Sequence, residues 1–246
     1  MSRSMDKALD LLGHIGEGAQ TLTELAAASQ LPKSTAHRLA AVLVEHGFLR
    51  VAGHRYYLGY RLMELGELAK RQVRLPSLAR RHMEATAAAT FETVHLGELV
   101  GTDIIYLEKI EGARGLQMRS RVGLASHAAT TAMGKAIIAS RPEAGWRDYF
   151  RDDPPRTPHT ITSREAFVAE LAATRARGFA FDREENELGI CCVAAPIWDA
   201  AGNAVAAVSI SGAVVYIPPE RLDDLAQEIV ACAAAISHEL GGGAGG

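Results

Sequence analysis

The chain has 246 residues, 48% of them hydrophobic and 22% charged, with a net charge of −3. That balance suits one large or two modest folded domains and excludes disordered chains, collagen and coiled-coil rods. The longest apolar stretch, around Val205–Ile217, is interrupted by Ser209, Ser211 and Gly212 and falls short of the ~18 residues that a spanning helix needs.

The first element predicted is a helix over Ser4–Gly16, with Leu9, Leu11, Leu12 and Ile15 on one face and a Gly-Glu-Gly stop at residues 16–18. Thr21-Leu-Thr-Glu24 is a capping box, in which each side chain satisfies an amide of the first turn, so a second helix runs over Leu22–Ser29 with Leu25 and Ala26 inward. Pro32 suits the first position of a helix, where no amide hydrogen is needed. A third helix therefore spans Pro32–His46, and Gly47 stops it. Ala36, Leu39, Ala40 and Leu43 have the spacing of a buried face, leaving Lys33, Ser34, Thr35, His37 and Arg38 outside. Residues 50–59 form a short hairpin with Gly53 in the turn and Gly53-His54-Arg55 at the tip.

Three short helices and a two-stranded wing make a winged helix-turn-helix. Its second motif helix fits the major groove of DNA. Ser34 and Thr35 can bond phosphates, Lys33 or Arg38 can read a guanine edge, and Arg55 on the wing can enter the minor groove. Charge agrees: residues 1–75 hold ten Lys/Arg against seven Asp/Glu, the remainder sixteen against twenty-two.

Gly59–Leu75 is a linker helix whose Leu62, Leu65 and Leu68 form an apolar stripe, for a partner chain or for the body of the same chain. Then come an alanine-rich helix (Pro76–Phe91) and strands at Glu92–Val100, Asp103–Ile110 and Leu116–Val122. A helix over Thr130–Ser140 and a proline-rich surface loop over Gly145–Thr162 follow. Ser163 caps the next helix and Gly178 ends it. Strands at Gly189–Trp198 and Ala204–Ser211, a helix over Pro219–Leu240 and a flexible tail, Gly241–Gly246, complete the chain. Strand runs bracketed by helices suggest an α/β body around one antiparallel or mixed sheet.

Catalytic signatures are missing. Gly134-Lys135-Ala136 lacks the remainder of a phosphate loop, and no nucleophile elbow, zinc-protease motif or dinucleotide fingerprint occurs. Asp182, Glu184 and Glu185 read as a solvated acidic turn rather than an acid–base pair. His95, His127 and His159 lack metal-ligand spacing. Met1–Leu12 has no apolar secretory core. The three cysteines, Cys191 and Cys192 being adjacent, make neither a disulfide framework nor a zinc pattern, as expected of a cytoplasmic protein. No enzyme activity, cofactor or metal is expected.

Two sets of motifs resemble the IclR family of bacterial transcription regulators. The first is Leu22-Thr-Glu-Leu-Ala26, Leu31-Pro-Lys-Ser-Thr-Ala-His-Arg-Leu39, Gly47-Phe-Leu49 and Tyr57-Leu-Gly59. The second is Thr131-Ala-Met-Gly-Lys-Ala136, residues 178–185 (GFAFDREE), Leu188-Gly189, Ala194-Ala-Pro196, Gly202 and Ala206-Ala-Val-Ser-Ile-Ser-Gly212. Their order and spacing span nearly the whole chain. The resemblance implies an α+β protein: a winged helix-turn-helix over 1–59, a linker helix over 60–75, a GAF-like α/β effector-binding domain over 76–240, and a tail over 241–246. It implies a homodimer or dimer of dimers on double-stranded operator DNA, more a repressor than an activator, answering to a small carboxylate from a catabolic pathway.

By position, the resemblance implies an effector pocket lined by Met118, Ala132, Met133, Asp182, Ile190, Cys192, Ser209 and Ser211. Period-two alternation agrees in part, because Ser209 and Ser211 share one strand face, as do Ile190 and Cys192. Alternation about Met118 puts Arg119 and Arg121 on the opposite face. Many relatives carry a proline and a bulky apolar residue before the Thr131 motif, where this chain has Ser126-His127-Ala128, so a more polar lining is expected. The competing reading is a ligand sensor or enzyme that uses its winged helix for protein contacts.

Overall fold

The computed structural model describes residues 3–16, 18, 20–72, 74–115 and 118–243. They fall into two compact units, Met1–Arg74 and Leu75–Gly246.

The first unit comprises α1 (Arg3–Gly16), α2 (Leu22–Ala28), α3 (Lys33–Glu45), β1 (Leu49–Ala52), β2 (Arg55–Leu58) and α4 (Tyr60–Gln72). Leu11, Ile15, Leu25, Leu39, Ala40 and Leu49 form its core. The capping box forms at α2. Thr21 Oγ1 accepts the Glu24 amide at 3.2 Å, and the Glu24 carboxylate accepts the Thr21 amide at 2.8 Å. Pro32 is the N-cap of α3 rather than its first residue, and its carbonyl accepts the Thr35 and Ala36 amides. Antiparallel pairing of Ala52 with Arg55 leaves Gly53-His54 as the wing turn, with Gly53 at φ +62°.

The second unit comprises α5 (Leu75–Thr90), β3 (Thr93–Val100), β4 (Asp103–Ile110), β5 (Ala125–His127), α6 (Ala132–Ser140), α7 (Arg164–Arg177), β6 (Ala180–Arg183), β7 (Ile190–Trp198), β8 (Ala204–Ala213) and α8 (Pro219–Glu239). The six strands lie in the order β5-β4-β3-β8-β7-β6, every neighbour antiparallel. Strand alternation gives the sheet two faces. Val94, Leu96, Val193, Val208 and Ile210 pack with Met83 of α5 and with Leu225 and Ile229 of α8. The opposite face brings Ile104, Tyr106, Ala194 and Ala207 together with Met133 and Ile137 of α6 and Phe167 and Leu171 of α7.

Four sequence expectations change. No strand forms over Met118–Val122, and the first two residues of the expected strand, Leu116 and Gln117, lie outside the described residues. The chain instead turns at Val122-Gly123, where Gly123 donates to the Tyr106 carbonyl at 2.8 Å and Tyr106 donates to that of Leu124 at 3.1 Å. The strand on that edge is β5. A further strand, β6, pairs with β7 through four residues. The loop after Gly145 begins inside a 3-10 helix, Glu143–Tyr149, which buries Trp146. The tail is docked at its start, where Gly241 bridges to Asp199; 244–246 lie outside the described residues.

A 3-10 turn, Ala128–Thr130, leads into α6. It approaches so closely that a Cβ on Gly134 would stand 2.1 Å from the Ala128 carbonyl oxygen. Gly134→Ala is therefore expected to destabilise the second unit by about 1–3 kcal/mol or more. Calorimetry should show a fall in Tm of roughly 2–4 °C per kcal/mol; an unchanged Tm would show that the approach is relaxed at no cost.

Candidate functional site

The candidate DNA surface starts from the buried side of α3. Ala36, Leu39 and Ala40 are inside, so Lys33, Ser34, His37 and Arg38 are exposed and Thr35 is half-buried. No acidic residue lies in the first turn, so the positive end of the helix dipole stands beside Lys33 unopposed from that turn. Arg55 is exposed but engaged. It opens β2 and donates to Gln20 Oε1 at 2.9 Å, leaving Gly53 and His54 as the wing tip.

The second unit holds a cavity of about 590 Å³ between the α6 face of the sheet and the segment before β5. Met118, Ala132, Met133, Asp182, Ile190, Cys192, Ser209 and Ser211 all line it. Sheet register explains the convergence. Asp182 pairs with Cys192 and Cys192 with Ser211, forming one cross-strand row on β6, β7 and β8. His95 of β3 pairs with Ser209 in the neighbouring row. Thr131 caps α6 by accepting the Gly134 amide at 3.0 Å. The Ala132 and Met133 amides, first in the helix, have no acceptor within it.

Of the more polar lining expected before the Thr131 motif, Ser126 faces this cavity and His127 does not; His95, Tyr106, Ser120, Thr131, Arg156 and Asn186 line it outside the sequence expectation. The signal for His95 was present, since Val94 and Leu96 alternate with it as apolar residues. Arg119 also lines the cavity, although its side chain is 88% exposed. Strand alternation does not apply there, because the segment is not a strand.

Beneath the floor lies a buried charge group that sequence alone presents as a solvated turn. Lys135 of α6 is fully buried and donates to Glu185 Oε1. Asp182 is buried too, and its Oδ1 accepts the amides of Glu185 at 2.8 Å and Asn186 at 3.3 Å. Only Glu184 keeps part of its surface, its Oε2 accepting the Gly189 amide at 2.7 Å. Burial pushes the Asp182 carboxyl up to about 7, Lys135 opposing and Glu185 reinforcing the shift. Burial likewise raises Glu185, again against the pull of Lys135.

Three further groups facing the cavity, His95, Tyr106 and Cys192, are held in their uncharged forms. Burial, aided by the Lys109 charge, takes His95 down to about 3. Burial raises Tyr106 to about 12 and holds the Cys192 thiol well above its ordinary value. A thiol so held is a weak nucleophile. The arrangement is suited to holding a small polar molecule.

Comparison with known proteins gives the same division. The model of the IclR helix-turn-helix domain matches residues 4–53, and that of the bacterial transcriptional regulator IclR C-terminal matches 68–238. The HTH-type transcriptional regulator XynR of Escherichia coli (strain K12) is 33% identical over 245 residues, with 97% of each chain covered. KdgR of the same organism is 33% identical over 251 residues, covering 97% of this chain and 92% of its own. The crystal structure of the Agobacterium tumefaciens repressor BlcR superposes with a TM-score of 0.84 at 26% identity, covering 98% of each chain. These findings define a DNA-binding transcriptional regulator with an effector-binding domain, not an enzyme. The chain belongs to the IclR family of bacterial transcriptional regulators.

Asp182 gives the domain a pH signature. Its folded value of about 7 exceeds the ordinary 3.8. Between those values the folded state keeps a proton that the unfolded chain has lost, so stability falls as pH rises towards 7. Asp182→Asn keeps an acceptor for the two amides and removes the titration. Its stability relative to the natural chain should improve by about 2–3 kcal/mol between pH 5 and pH 8. Thermal melts at both pH values test this, and parallel shifts in the two proteins would refute it.

Proposed function

We propose that this regulator is a cytoplasmic repressor of a catabolic operon, a homodimer or dimer of dimers released from its operator by a small organic acid in the cavity. The observation that carries the effector reading is the convergence of Ser209, Ser211 and the first residues of α6, Ala132 and Met133, on one cavity. Helix N-terminal amides favour an anion. The volume falls in the ordinary small-ligand range of about 300–1,000 Å³. Asp182 accepts a hydroxyl of such a ligand or meets its carboxylate in protonated form. BlcR, described as a repressor, supports that sign of control. Tyr60, Met63, Leu65 and Leu68 are exposed along α4, an apolar stripe that a second copy of the chain would cover.

Control requires that the acid favour one state of the oligomer. A ligand with equal affinity for the DNA-competent and DNA-released states shifts nothing.

The test is a mobility-shift titration against DNA flanking the gene, at two salt concentrations, with competitor DNA and a panel of small organic acids. Competitor-resistant binding that an acid reverses is expected. Arg38→Ala should weaken specific binding by about 1–3 kcal/mol; unchanged affinity would remove Arg38 from the base-reading set. Ser209→Ala combined with Ser211→Ala should abolish the acid response and leave DNA binding intact. An undiminished response would place the acid elsewhere.

A further inference from the structure

The cavity wall before β5 is irregular chain. Met118, Arg119, Ser120 and Leu124 of this segment line the cavity. Its far end is tied to β4 by the two main-chain bonds between Tyr106 and Gly123-Leu124. Its middle, next to an Arg119–Glu187 ion pair at 3.7 Å, is tied at Ser120. There Lys109 Nζ donates to the carbonyl at 3.0 Å, and His95 Nε2 meets the hydroxyl at 2.8 Å. The other ring nitrogen of His95, Nδ1, lies 3.3 Å from Ser211 Oγ on the floor. His95 is only 2% exposed and packs edge-on against Tyr106, the ring centroids 5.3 Å apart.

We propose that His95 is the strap of the cavity, a positioning residue that fastens the Met118–Leu124 wall to Ser211 on the floor and passes the hydrogen-bonding state of Ser211 to the wall. A neutral imidazole has one donor and one acceptor nitrogen. When the Ser211 hydroxyl donates a hydrogen bond to Nδ1, Nε2 carries the ring hydrogen and donates to Ser120. When the Ser211 hydroxyl donates to another acceptor in the cavity, the neutral ring takes its other tautomer, exchanging the Nε2 hydrogen for one on Nδ1 through solvent, so that Nδ1 donates to Ser211 and Nε2 accepts a hydrogen bond from Ser120. Both settings keep the strap, with its polarity reversed, because the ring stays uncharged. Ser211 lies across from Cys192, and Cys192 across from Asp182, in one cross-strand row. From Ser211 that row runs across the floor to Asp182, beside the buried charge group. The second setting rests on the effector reading; the fastening itself does not.

The experiment needs no ligand. Hydrogen–deuterium exchange is followed on the full-length protein and on its Ser120→Ala, His95→Leu and doubly substituted forms. Iodoacetamide labelling of Cys192 is followed by peptide mapping. Each single substitution should speed exchange at the Gly123, Leu124 and Tyr106 amides about tenfold and raise Cys192 labelling. The double substitution should add nothing further, because both remove one link. Amides of α5 and α8 and labelling of Cys191 and Cys232 should stay as they were, which a general loss of stability would not allow. Ser120→Ala removes one hydroxyl and decides the matter alone should His95→Leu fail to fold. Wall amides protected as before, or a rise spread evenly over the domain, would overturn the strap. Failure of every organic acid to release DNA would overturn the effector reading and leave this result standing.

Discussion

The effector domain is organised around one buried ion pair. Lys135 reaches from the middle of α6 to Glu185 in the turn after β6, fifty residues along the chain. Each partner makes the burial of the other tolerable. Removing one leaves an uncompensated charge in the interior, which costs about 3–5 kcal/mol, while the intact pair adds little net stability over an apolar replacement. The pair's contribution is therefore largely one of position. It holds the start of α6 against the turn that follows Asp182. Thr157 and Thr160 reinforce that turn by donating to the carbonyls of Glu184 and Glu185, at 2.6 and 2.7 Å. Opposite sides of the cavity are fixed by one interaction and its supports.

The sheet then divides its two faces between stability and chemistry. The face under α5 and α8 is apolar along almost every strand. The other carries Asp182, Cys192, Ser211, Ser209 and His95 side by side, and α6 and α7 close only part of it. Polar groups kept from bulk water cost free energy unless each finds a partner. Here the partners are largely each other: Ser120 with His95, His95 with Ser211, and Asp182 with two main-chain amides. The floor is ordered before any ligand arrives, which lowers the ordering cost of binding.

What the sequence revealed follows from the range of the forces involved. Local signals were legible. The Thr21–Glu24 box, the Ser163 cap and the Gly178 stop act within a few residues, and each occurs. Ser209 and Ser211 were placed on one face by alternation, and the family motifs gathered the eight pocket residues that the fold brings together. Features set by contacts distant in sequence were not legible. Glu185 looks solvated until Lys135 arrives from α6. β6 is too short to display a period, and only pairing with β7 makes it a strand. The segment before β5 mimics alternation, but its path is decided by Tyr106, Lys109 and His95 on other strands.

The same contacts shape what the cavity can discriminate. Lys135 is balanced by Glu185, His95 is neutral, and Tyr106 and Cys192 keep their protons, so Asp182 is the lining carboxyl whose charge is open to change near neutrality. On the proposed reading, an organic acid lying with its carboxylate at the α6 amides meets a floor of hydroxyls and one adjustable carboxyl. A ligand hydroxyl suits the ionised form of Asp182 as a donor. A second acidic group suits only the protonated form. An apolar end costs about 1–3 kcal/mol for each lining polar group whose partner was water. Discrimination of that kind rejects ligands that lack a polar group far more strongly than it separates ligands by size. On the proposed reading, the floor of this cavity favours oxygenated acids over alkyl ones.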